Sequence, residues 1–110
     1  MSSPTRKPKL YEKLEQHFPG YIGAVEALGK VASSAGPLDE KTLQLIHIAA
    51  AAAQRSEGAV HSHARRALGA GASPNEIRHA LIALTNTIGF PQVTAALSWA
   101  DDVIGDLDSK

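Results

Sequence analysis

The segment from Leu43 to Ala53 constrains this chain more than any other: Leu-Gln-Leu-Ile-His-Ile followed by five consecutive alanines. Apolar side chains lie nearly all the way round a helix built from it. That pattern belongs to a helix buried on most of its sides. The alanines let neighbouring helices approach closely. Plotted at 100° per residue, Glu40, Gln44, His47, Gln54 and Arg55 share one sector. The buried helix is therefore expected to carry a single polar stripe, with His47 in it.

The remaining segments supply partners for such a helix. A first helix is predicted from Leu10 to His17 and a second from about Tyr21 to Ala32, separated by Phe18-Pro19-Gly20. Ser33-Ser34-Ala35-Gly36-Pro37 reads as a turn-rich linker. Asp39 can accept from the unpaired amides that open the third helix. A fourth helix is expected from Glu57 to Ala70, with Gly71 as its left-handed exit. Ser73-Pro74-Asn75-Glu76 matches a capping box with proline in the first helical position. That fifth helix should run to about Thr87 and stop at Gly89-Phe90-Pro91. A sixth, from about Pro91 to Gly105, presents Val93, Ala96, Leu97, Ala100 and Ile104 as its apolar stripe. No segment alternates with a period of two, so no sheet is expected. The fold class is all-α, a bundle of about six helices.

At 110 residues the chain has room for one core: a flexible tail over residues 1–8, then a single helical domain over 9–108. Eleven basic residues balance eleven acidic ones. Without a basic face, and without aromatic stacking platforms, nucleic-acid binding is not expected. The chain has no cysteine, which removes disulfides, thiolate metal sites and thiol redox chemistry from its own repertoire. The N-terminus lacks the apolar core of a secretory signal, and the longest apolar stretch is too short for a bilayer. A cytoplasmic protein without membrane contact is the expectation.

The chemistry-bearing residues gather at the start of the fourth helix, in Glu57-Gly58-Ala59-Val60-His61-Ser62-His63. Glu57 and His61 are four apart and therefore neighbours on one helix face. A carboxylate beside an imidazole can stabilise its cationic form during general-base work. The same pair is also an ordinary surface contact. His63 lies about 120° from Glu57 round the helix, at the edge of the apolar stripe of Val60, Ala64, Ala67 and Leu68. From that edge a side chain can reach a pocket between helices. Residues two apart on a helix point roughly 200° apart, so His61 and His63 cannot chelate one ion, and no metal is expected. His47 reads as a half-buried histidine satisfied by a neighbour. Thr85-Asn86-Thr87 either lines a pocket or bonds back to the preceding turn.

Taken in order, Leu38-Asp39-Glu40-Lys41-Thr42, Glu57-Gly58 followed by His63, Gly71-Ala72-Ser73-Pro74-Asn75-Glu76-Ile77 and Gly89-Phe90-Pro91 resemble the carboxymuconolactone decarboxylase family. That family includes the alkyl hydroperoxidase D-like proteins. The resemblance covers roughly Leu38 to Val103. It implies an all-α subunit of the alkyl hydroperoxidase D-like type, assembled into homotrimers or homohexamers with sites near subunit contacts. The peroxidase-like branch carries Cys-x-x-Cys-x-x-x-His. Aligned on His63, its cysteines fall on Ser56 and Ala59, its intervening histidine on Gly58 and its relay glutamate near Gln44. A serine hydroxyl cannot replace a thiolate, so an alkyl hydroperoxidase-like antioxidant role is disfavoured.

The decarboxylase branch has Glu-Gly and His where this chain has Glu57, Gly58 and His63. It needs no cofactor, and its substrate is a carboxylated lactone. The resemblance therefore implies a cofactor-free lyase acting on a small organic acid or lactone. His63 is cast as acid/base and Glu57 as its orienting or proton-relay partner. His61, His47, Gln44, Thr85 and Asn86 are the expected pocket or supporting residues. An arginine common in that branch aligns with Leu43 and a tyrosine with Thr87, so one expected carboxylate anchor is missing. The alternative is a non-catalytic oligomeric member that binds a ligand or partner.

Overall fold

The computed structural model describes residues 8–105; the expected tail over residues 1–8 lies outside these, apart from Pro8. Among the described residues there are seven helices and no strand. They are α1 (Lys9–His17), α2 (Pro19–Ser33), α3 (Glu40–Ala53), α4 (Glu57–Gly69), α5 (Pro74–Ile82), α6 (Thr85–Ile88) and α7 (Phe90–Ile104). The backbone groups into two compact units that divide between Leu38 and Asp39. No helix among the described residues is long and apolar enough to cross a membrane.

The first unit holds α1 and α2, which lie against each other and are joined by the Tyr11 hydroxyl donating to the Glu26 carboxylate. Only Phe18 separates the two helices. Pro19 opens α2 as its first residue, because the missing N–H costs nothing there and the ring presets φ. The same logic puts Pro91 inside the first turn of α7, which begins at Phe90, one residue before the expected start. Phe18, Tyr21, Val25, Leu28 and Val31 are all exposed in this unit.

The second unit carries the core. Ile48, Ala51 and Ala52 of α3 meet Val60, Ala64 and Ala67 of α4, Ile77 and Leu81 of α5, and Ala96 and Ala100 of α7. Six of these ten are alanines, so the helices close on one another at short range. The four larger ones, fully enclosed, contribute about 1.5–3 kcal/mol each. Trp99 packs against this cluster from its edge. One expectation needs correcting. Within this unit α3 is buried on a single face, and Ile46 and Ala50 face outward. Three neighbours cover the side that bears Ile48, and nothing in this unit covers the other.

The helix ends follow their sequence signals. Asp39 accepts from the Thr42 amide at 2.9 Å, and the Ser73–Glu76 capping box is complete. α3 and α4 both finish in the doubly bonded turn that turns the chain back on the helix end. After α4 the left-handed residue is Gly71 (φ 98°), with the Ala72 amide returning to the Ala67 carbonyl at 2.9 Å. After α3 it is Arg55 (φ 57°), the one described non-glycine residue with positive φ, and the Ser56 amide returns to Ala51 at 3.1 Å. The Gln92 amide group, reaching over from α7, donates to the Ala52 and Ala53 carbonyls at 3.0 and 2.9 Å. The Ala52 carbonyl also accepts from the Arg55 amide at 3.0 Å, whereas the Ala53 carbonyl is one that a helix end leaves without an intrahelical partner. Arg55 Nε donates to the Gln92 oxygen at 3.1 Å and ties the corner together.

The fifth helix is shorter than its pattern predicts. It ends at Ile82, and one separate turn, α6, follows. The Thr85 hydroxyl donates to the Ile82 carbonyl at 2.7 Å. It offers that carbonyl a local partner in place of a continued helix ladder.

Candidate functional site

α3 and α4 place their polar residues in two separate groups. The first begins on the polar stripe of α3. Glu40, Gln44 and His47 recur at one-turn spacing and so stack along one side of the helix. Gln44 is buried although polar, and a buried amide needs partners for both of its ends. Its Nε2 donates to the Glu40 carboxylate at 2.7 Å. Its oxygen lies 3.0 Å from Nδ1 of His63, on α4. A carboxylate only accepts, so the amide NH2 faces Glu40 and the amide oxygen faces the imidazole. Nδ1 of His63 therefore carries the hydrogen and donates it to Gln44. In the neutral ring the lone pair is then on Nε2.

The His63 ring meets that of His47 edge to face, with centroids 5.0 Å apart. Both rings line a hollow of about 230 Å³, together with Ala50, Ala51, Gln54 and Ala59. The small side chains on facing turns of α3 and α4 leave the space that the two imidazoles border. Burial pushes the His63 pKa from its ordinary 6.5 down to about 4, assisted by the positive charge of Arg66 and by His47. At neutral pH His63 is an uncharged imidazole whose orientation is set by a hydrogen bond to a buried amide. A second ring nitrogen, Nδ1 of His47, is buried without a hydrogen-bond partner.

Glu57 belongs to the second group, and its expected partnership with His63 is corrected by the geometry. Its exposed carboxylate lies 4.0 Å from Nε2 of His61, one turn along α4. The same nitrogen is 2.9 Å from the Asp102 carboxylate on α7. One oxygen of each acid and this ring nitrogen fall within 4.8 Å of one another. His63 is six positions on from Glu57, which turns the two about 120° apart round the helix. Glu57 and His61 accordingly sit on the α7 side and do not line the hollow.

Thr85 and Asn86, expected as lining residues, are not among those that border it either. The Thr85 hydroxyl is engaged with the Ile82 carbonyl. Of the residues anticipated from the sequence, then, Gln44, His47 and His63 come together. The alanines and Gln54 that complete the wall carry no chemical signal of their own. Asp102 reads from the sequence as a solvated charge, since 41 positions separate it from His61.

Another polar cluster is structural. Arg78 of α5 is almost fully buried. Its Nη1 donates to Asn75 at 3.0 Å and its Nη2 to the Gly105 carbonyl at 2.7 Å, while Nε lies 3.6 Å from the Asp101 carboxylate. It pins the end of α7 to α5.

A protein-family comparison agrees with the all-α architecture. The carboxymuconolactone decarboxylase family model matches residues 19–102. No curated protein and no solved structure matches the chain. Spanning most of the chain and all of the residues around the hollow, the match shows that this protein belongs to the carboxymuconolactone decarboxylase family.

Proposed function

We propose that the protein is a cofactor-free lyase acting on a small organic acid or lactone, with His63 as the acid/base group. One observation carries this reading. A histidine that is neutral at physiological pH and held by a single defined hydrogen bond borders a hollow large enough for a small molecule. A base needs its lone pair free before the reaction, and a pKa of about 4 keeps it so throughout the neutral range. In this reading Gln44 takes over the orienting role that the sequence suggested for Glu57. As the carbon–carbon bond breaks and carbon dioxide leaves, the electron pair stays on the substrate carbon, and Nε2 of His63 takes a proton from the substrate's acid group or from water and delivers it there. Arg66, one turn further along α4, already acts on His63 through its charge. It offers a cation for a substrate carboxylate, where the arginine common in the decarboxylase branch aligns with Leu43.

Assembly into a homotrimer or homohexamer is part of the same proposal. The uncovered side of α3, with Ile46, and the exposed apolar residues of α2 are surfaces that a second copy of the chain would remove from water.

The test is a panel of small carboxylated lactones and unsaturated acids, with carbon dioxide release and loss of substrate measured for wild type and for His63→Gln. The substitution should lower turnover by about 10²–10⁴-fold on any substrate the wild type accepts. Turnover should form a plateau above the His63 pKa and decline below it. Equal turnover by the two proteins would remove His63 from the reaction.

A further inference from the structure

We infer that Glu40 is a positioning residue: its carboxylate, acting through Gln44, selects which nitrogen of His63 carries the hydrogen. The chain of contacts is short and directional. Glu40 accepts from Gln44 at 2.7 Å, and Gln44 accepts from His63 at 3.0 Å. An amide can turn end for end within its own outline, presenting oxygen or NH2 to either neighbour. An imidazole can likewise hold its hydrogen on either nitrogen. Gln44 and His63 between them could thus run in two opposite directions with the same number of hydrogen bonds. The carboxylate is the one member with no donor to offer at neutral pH. It breaks the symmetry, because turning the amide over would bring two acceptors, the Gln44 oxygen and the Glu40 carboxylate, face to face.

The energetic case follows from burial. Gln44 is only 6% exposed, so an amide end left facing the wrong partner cannot turn to water instead. An unpaired buried polar group is costly, and a hydrogen bond to a charged acceptor is stronger than one between neutral groups. Glu40 itself is exposed, at the first turn of α3, and its neighbour Lys41 is engaged with Glu76 at 3.1 Å. The polarity of a buried pair is therefore set from the surface, by a residue outside the lining of the hollow. The consequence for the chemistry rests on His63 being the acid/base group: the lone pair is kept on Nε2, the nitrogen not occupied by Gln44.

The test needs no substrate, so its outcome is separate from that of the proposed activity. With ¹⁵N-labelled histidine, two-bond and three-bond correlations from the ring protons distinguish a protonated from an unprotonated ring nitrogen. Wild type at pH 7 should show His63 with Nδ1 protonated and Nε2 unprotonated. Glu40→Gln preserves size and hydrogen-bonding capacity but restores the symmetry. The two His63 nitrogen shifts should then move toward each other as both tautomers become populated. A second change, Gln44→Glu in the Glu40→Gln background, puts an acceptor-only group directly against Nδ1 and should return His63 to the wild-type pattern. That return shows that the tautomer answers to the group facing Nδ1, while the shift in Glu40→Gln alone reports the part played by Glu40. An Nε2-protonated wild type, a Glu40→Gln protein that keeps the pure Nδ1-protonated form, or failure of the double variant to restore it would each overturn the assignment.

Discussion

The imidazoles of His47 and His63 meet edge to face, 5.0 Å between centroids and 63° between planes, on facing sides of one hollow. Two rings at that distance cannot both become cationic without strong repulsion. Burial is the larger cause of the low His63 pKa, with Arg66 second and His47 third. Arg66→Gln and His47→Gln should therefore each raise the His63 pKa from about 4, the former by more, and neither should restore 6.5. A pH titration of the His63 ring protons by NMR measures this directly. A full return to 6.5 in either variant would show that charge, and not burial, dominates.

The same shift makes His63 a source of acid sensitivity. Its folded pKa lies below the unfolded value, so between about 4 and 6.5 the unfolded chain binds the extra proton more readily. Stability must fall as pH drops through that interval. Asp39 and Glu76, whose carboxyls are held below their usual values chiefly by hydrogen bonds to Thr42 and Ser73, weaken the fold only at lower pH. Urea midpoints measured from pH 7 to pH 4 should decline in wild type and change less in His63→Gln. Parallel curves for the two proteins would exclude His63 as the cause.

Arg78 offers a stability test away from the hollow. Truncation to alanine would strand the buried Asp101 oxygen and the Gly105 carbonyl. The Asp101 side chain keeps 30% of its exposure, so the expected loss is about 1–3 kcal/mol, the cost of leaving buried polar groups without partners. Lysine should not rescue it, since one ammonium cannot reproduce the guanidinium fork. Replacing both partners, as Arg78→Met with Asp101→Leu, should recover part of the loss by removing the orphaned charge. Chemical denaturation of the three variants decides the matter. An Arg78→Ala protein within about 1 kcal/mol of wild type would mean that the cluster adds little, as exposed ion pairs typically do.

What could be read from the chain alone divides along a physical line. Local signals were legible: the Asp39 cap, the Ser73–Glu76 box and the Gly71 exit each involve residues within a turn of one another. The polar stripe of α3 was legible as well, because Glu40, Gln44 and His47 follow the period of one helix. Which helix face met which neighbour was not. The bond from Gln44 to His63 spans 19 positions and that from His61 to Asp102 spans 41. Spacing within α4 paired Glu57 with His61 but did not say which neighbour that face would meet, and tertiary packing set it against α7. Thr85 was undecided for the opposite reason. Its hydroxyl had a local partner in the preceding turn and a possible distant one, and the local bond prevailed.

The corner at Arg55 also limits how this protein can vary. Between Ala53 and Glu57 the chain has only Gln54, Arg55 and Ser56 in which to reverse, and their bonds to α3 and α4 leave no slack. One added residue there would break the paired amides of this turn and the Ser56 cap of α4, which together set where α4 starts relative to α3 and so bring His63 to Gln44. Substitutions along this hairpin can be absorbed one at a time, whereas an insertion or deletion would dismantle the imidazole pair in a single step.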